Sequence, residues 1–118
     1  MVLTGEQREC YERSVSDDLV MMTRDLTENN LHDVLWSRFR DGNIYTFIGT
    51  VLISVNPYKH IEKKGAPLYC ADVASHYSKS ESAELSPHIF SIASDAFIHL
   101  KNYDKNQTIV VTGESGAG

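Results

Sequence analysis

Thr108-Ile109-Val110-Val111-Thr112 is almost wholly β-branched and runs straight into Gly113-Glu114-Ser115-Gly116-Ala117-Gly118. Residues of this type favour extended backbone, and an unbroken run of them reads as a strand buried on both faces in a parallel or mixed sheet covered by helices. Gly113 and Gly118 have the glycine spacing of G-x-x-x-x-G-K-[ST], the loop whose backbone N–H groups cradle phosphate. Glycine suits such a loop because the backbone must curl with its N–H groups inward, a conformation that side chains resist. A helix N-terminus following the loop adds a favourable dipole. The Lys and Ser/Thr of the motif, which serve the β/γ-phosphates and Mg²⁺, are not among residues 1–118. Spacing and strand context alone leave two readings open, a phosphate cradle and a glycine-rich turn or tail.

Upstream, Thr27 is a good N-cap for a helix over Glu28–Arg40, with Leu26 and Leu31 at hydrophobic-staple spacing. Leu31, Val34, Leu35 and Phe39 form its apolar face, Trp36 lies off that stripe, and Gly42 supplies a C-terminal cap. The run Ile44–Val55 reads as a hairpin turning at Gly49-Thr50, with Pro57 ending the second strand because it has no N–H to donate. Leu19-Val20-Met21-Met22 is apolar and ambiguous. Residues 56–68 read as a loop in which Lys63-Lys64 is a solvated face, and a short helix is expected around Asp72–Tyr77. Ser78–Ser86 reads as a Ser/Glu-rich loop. Ser86-Pro87 then opens the strongest helix, with Ser86 as N-cap, Pro87 at the first helical position, and Ile89, Ile92, Ala93, Ala96, Phe97 and Leu100 along one face.

Composition narrows the class. The chain has 118 residues, 42% hydrophobic and 23% charged. That balance suits one globular domain. The net charge of −5 and the lack of a basic block argue against nucleic acid as a partner. The apolar stretches are too short for a transmembrane helix, and Met1–Arg13 lacks the pattern of a secretory signal. Cys10 and Cys70 form no CxxC pair, and the five histidines have no metal-ligand spacing, so no metal site is expected. A reducing cytoplasm fits this cysteine usage. Ser115 beside Glu114 invites a nucleophile-and-base reading, but no His or Asp orienter stands in a recognisable arrangement.

Several segments, in order, resemble the myosin motor domain. Thr112–Gly118 resembles the myosin phosphate-loop signature, and its Glu-Ser-Gly-Ala wording is far more specific than the glycine spacing. Asp17–Val20 with Leu26–Glu28, Ile44–Gly49, Val51–Lys59 and Pro87–Ala93 resemble further motor segments, so the likeness covers about residues 15–118. The short polar lead at 1–16 points to a class I-like myosin, and residues 17–118 then correspond to the amino-terminal part of a motor, stopping within the phosphate loop.

The resemblance implies an α/β, P-loop NTPase-type motor with a twisted mixed central sheet. It also implies ATP with Mg²⁺ as cofactor, actin as partner, light chains or calmodulin bound outside this segment, and a place in the cytoplasm on the actin cytoskeleton. It puts Asn56, Pro57, Tyr58 and Tyr69 on the adenine side, and Gly113, Glu114, Ser115, Gly116, Ala117 and Gly118 around the phosphates. Residues 1–118 alone are expected to be inactive.

Two departures stand out. His60–Leu68 makes a longer path to Tyr69 than the family's usual one, and the loop before Pro87 is Ser/Glu-rich where the family's is usually basic. On the residues alone, Asn56-Pro57 most commonly marks a strand-ending turn, and Tyr58 and Tyr69 are commonly packing residues. Two rivals to the motor reading stay open: another phosphate-loop ATPase or GTPase, and a non-enzymatic truncated or interaction fragment.

Overall fold

The structure is a computed structural model that describes residues 17–21, 27–63, 65–79 and 85–117. The lead at 1–16, Met22, the staple residue Leu26, Lys64, most of the Ser/Glu-rich loop (80–84) and Gly118 lie outside the described residues. The chain divides into two compact units between Pro57 and Tyr58.

In the first unit, helix α1 spans Glu28–Arg40. Thr27 caps it, with Oγ1 accepting from the Asn30 N–H at 3.3 Å. At the other end Gly42 takes φ +77°. There the Gly42 N–H donates to Phe39 O and the Asn43 N–H to Arg38 O, the paired bonds of a Schellman motif. Val34 is fully buried while Trp36 is exposed and stacks on Phe39 at 6.0 Å. Strands β1 (Tyr45–Ile48) and β2 (Val51–Ser54) pair antiparallel, with Ile48 opposite Val51 across the Gly49-Thr50 turn. Gly49 has φ +60°, and a Cβ there meets only Val20 Cγ2 at an ordinary 3.7 Å. The left-handed backbone, not crowding, is what calls for glycine.

The ambiguous Leu19–Met21 segment is a single 3₁₀ turn with Leu19 buried. The Asp18 carboxylate holds it, accepting from the Val20 and Gly49 N–H groups at 3.0 Å each. Asp17 O accepts from the Phe47 N–H, and Asp18 forms a parallel bridge with Phe47.

A buried guanidinium joins these pieces. Arg38 is 2% exposed. Its Nε donates to Thr46 Oγ1 at 2.8 Å, Nη2 to Tyr45 O at 3.0 Å, and Nη1 pairs with Asp17 Oδ1 at 2.8 Å. A charge this far from water is tolerable only with such a complete set of partners.

The second unit departs from the expected loop at 56–68. Strands β3 (Glu62–Lys63) and β4 (Ala66–Pro67) pair antiparallel around Gly65 at φ +78°. The Leu68 N–H then donates to Ile61 O. Pro67 fits because the pair is too short to need its missing N–H. Helix α2 spans Ala71–Lys79, and buried Tyr77 donates its hydroxyl to Ser86 O at 2.7 Å.

The last helix starts later than expected. Helix α3 spans Ile89–Tyr103, and its N-cap is His88, not Ser86. His88 has extended backbone and its Nδ1 accepts from the Phe90 N–H at 3.0 Å, which puts Pro87 outside the helix. Because Nδ1 accepts, the proton of the neutral ring sits on Nε2. Nε2 donates to Leu68 O at 3.2 Å. The face of α3 holding Ile89, Phe97 and Leu100 is largely exposed.

The expected buried strand at 108–112 does not form. Among the described residues those five have neither ladder nor helix partners, and Val111 is 88% exposed. A strand buried on both faces needs neighbours on both edges and covering helices. The described strands are instead used up in two separate antiparallel pairs, so no central mixed sheet is assembled from them.

Replacing Arg38 by Met should destabilise the protein by about 2–5 kcal/mol, since Thr46 Oγ1 and Tyr45 O then lose their buried guanidinium donor. Asp17→Asn should cost about 1 kcal/mol or less, because water compensates at an exposed carboxylate. The Asp17 side chain is itself half exposed. Chemical denaturation checks this ranking; an Asp17→Asn loss equal to that of Arg38→Met contradicts it.

Candidate functional site

The residues expected on the adenine side fall on both sides of the division between the units. Asn56 and Pro57 close the first unit, half-buried, just after the last rung of the hairpin, in which the Val55 N–H donates to Ile44 O. Tyr58 opens the second unit. Its backbone has φ +50° and its side chain is 82% exposed. A bulky residue rarely adopts this left-handed conformation.

Tyr69 follows the β3–β4 pair. Its exposed ring stands edge-on to His88 at 5.7 Å and to Phe90 at 6.3 Å. His88 in turn lies 4.6 Å from Phe90 and 5.0 Å from Tyr77, ring to ring. The imidazole therefore does three things: it caps α3, ties down the strand end at Leu68, and supports Tyr69. The longer path through His60–Leu68 is taken up by the small hairpin that ends at this cluster.

The glycine-rich segment is exposed from Gly113 to Ala117. It makes one tight turn, in which the Ala117 N–H donates to Glu114 O at 3.0 Å. Gly116 sits in that turn at φ +87°, while a Cβ on Gly113 would make only ordinary contact with Ala117 at 3.6 Å. Any side chain at Gly116 would be strained by that backbone. Gly118 lies outside the described residues. Within the second unit the structure brings together two of the expected site segments: the Tyr58 hydroxyl donates to Gly116 O at 3.1 Å, across 58 residues of chain. No spacing rule foretells that bond, because nothing local links the two positions. Exposed backbone around a glycine in left-handed conformation is chemically suited to presenting N–H donors to an anion. Among the described residues no group of three or more His, Cys, Asp or Glu is placed to hold a metal ion.

Comparison with known proteins agrees with the motif resemblance. The family described as myosin head (motor domain) matches residues 16–118. Myosin-1 of Schizosaccharomyces pombe is 41% identical over 102 residues, which is 86% of this chain and 8% of that protein. Myosin IA heavy chain of Dictyostelium discoideum is 42% identical over 102 residues, covering 86% of this chain and 10% of the relative. Unconventional myosin-Ia of Gallus gallus is 45% identical over 101 residues, 86% of this chain and 9% of the relative. The relatives are class I myosins, and the chain spans about a tenth or less of their length. On the family match and these identities together, the chain belongs to the myosin head (motor domain) family.

Proposed function

We propose that this chain supplies the nucleotide-facing beginning of an ATP-driven motor that moves on actin filaments. Asn56, Pro57, Tyr58 and Tyr69 serve the adenine side of the pocket, and Gly113, Glu114, Ser115, Gly116, Ala117 and Gly118 wrap the phosphates. The observation that carries this reading is the Tyr58–Gly116 hydrogen bond, which joins one segment of each set within a single compact unit. The exposed turn at Glu114–Ala117, with glycine where a side chain would be strained, fits a loop that offers backbone N–H groups to phosphate oxygens. ATP bound as its Mg²⁺ salt supplies the phosphoryl group whose hydrolysis drives movement.

In this reading the β-branched run 108–112 becomes an interior strand of a twisted mixed sheet of the phosphate-loop NTPase type, once further strands flank it. Actin, light chains or calmodulin would engage surfaces outside residues 1–118. The setting is the cytoplasmic actin cytoskeleton; no helix among the described residues is long and apolar enough to cross a membrane.

Residues 1–118 expressed alone should release no phosphate from Mg·ATP above a no-protein control, because the motif's Lys and Mg²⁺-binding hydroxyl are missing from them. Turnover above that control contradicts the assignment of catalysis to groups outside this segment. In a motor-length chain, Gly118→Val should weaken Mg·ATP binding by about tenfold or more, since a branched side chain at the motif's last glycine crowds an approaching phosphate. Equilibrium titration with a fluorescent ATP analogue reads this out, and an affinity within twofold of the parent sinks the phosphate-loop reading.

A further inference from the structure

Tyr58 combines two features that ordinary packing does not explain. Its backbone is in the left-handed region at φ +50°, and its side chain is 82% exposed. Burial of the ring therefore does little to offset the backbone strain. What this conformation does is carry the hydroxyl to Gly116 O at 3.1 Å.

The consequence lies in the peptide that joins Gly116 to Ala117. It is trans and planar, so the Gly116 carbonyl and the Ala117 N–H point in opposite directions. The carbonyl end is held by the Tyr58 hydroxyl, and the N–H end donates to Glu114 O at 3.0 Å. One peptide plane is thus gripped at both ends. A phosphate-binding loop works by aiming its N–H groups at the anion. Here the Ala117 N–H is turned back into its own loop. Aiming it at a phosphate requires breaking the bond to Glu114 O and rotating the plane, and that rotation carries the carbonyl away from Tyr58. Gly116, which lacks a Cβ, lets the plane rotate readily.

We propose that the Tyr58 hydroxyl is a latch on the phosphate loop: it holds the Gly116–Ala117 peptide with its N–H turned inward, and a polyphosphate must release it to recruit that N–H. This rests on the phosphate-loop reading given above, and makes Tyr58 a positioning residue that acts through the loop backbone. It gives the Tyr58 hydroxyl a role toward the phosphate loop in the ligand-free state, beside the adenine-side place proposed for the residue.

Tyr58→Phe removes the hydroxyl and keeps the ring, so the variant loses the bond to Gly116 O. A motor-length chain and its Tyr58→Phe variant are titrated with Mg·ATP and with Mg·pyrophosphate, which has no adenine. The latch predicts that the variant binds both more tightly by the same factor, about two- to tenfold, as expected for loss of one hydrogen bond from the ligand-free state. It also predicts faster hydrogen exchange at the Ala117 amide in the ligand-free variant. Unchanged or weaker pyrophosphate binding overturns the latch, as does unchanged Ala117 exchange. Weaker ATP binding with unchanged pyrophosphate binding leaves the Tyr58 hydroxyl with an adenine-side role alone, which overturns the latch while sparing the nucleotide reading. A parent that binds neither ligand overturns the nucleotide reading itself, and the latch with it.

Discussion

A guanidinium withdrawn from water must have its charge and its donors answered, and in the first unit Arg38 imposes that demand on everything around it. Helix α1 brings Arg38 in at its last turn, strand β1 answers with Thr46 Oγ1 and Tyr45 O, and Asp17 answers the charge. Moving Arg38 away from Thr46 or Tyr45 costs a buried hydrogen bond, and that loss exceeds the small net worth of the half-exposed ion pair with Asp17. The helix end, the strand register and the approach of residues 17–18 are therefore set together. Asp18 adds the complementary tie, linking the 3₁₀ turn to the hairpin turn through one carboxylate oxygen.

The second unit has its own organising group. His88 is 2% exposed and works as a neutral imidazole protonated on Nε2, accepting from the start of α3 and donating to Leu68 O. Its backbone carbonyl also accepts from both the amide and the hydroxyl of buried Ser91. The rings of Tyr69, Tyr77 and Phe90 gather around it. Two expected site elements hang from this unit by different means. Tyr69 is braced by aromatic packing, whereas Tyr58 reaches the glycine loop through a strained backbone and a single hydroxyl.

What can be read from the chain follows from which signals are local. Helix α1 is legible at both ends because Thr27 and Gly42 act within a few residues of where they stand. The first hairpin is legible because a two-residue turn dictates its register. Pattern reading starts α3 too early, at Pro87, because histidine is not a preferred cap and its role here depends on Nδ1 as an acceptor. The β3–β4 pair escapes it because strands this short carry no periodicity. For residues 108–112, composition reports a capacity for burial and says nothing of whether partners are present. Arg38 is invisible as a buried residue, since only tertiary partners make it one. For the proposed site, the glycine loop is marked out by its wording and spacing, while the Tyr58–Gly116 bond is not legible, being made across 58 residues.

We propose that adenine binds at the Asn56–Tyr58 segment and the polyphosphate at the Gly113–Gly118 loop. A crystal structure of a motor-length chain with a non-hydrolysable Mg·ATP analogue decides this. Adenine is expected beside Asn56 and Pro57, with the polyphosphate lying along the backbone of residues 113–118. Adenine bound far from Pro57, or phosphates held away from the glycine loop, would contradict it.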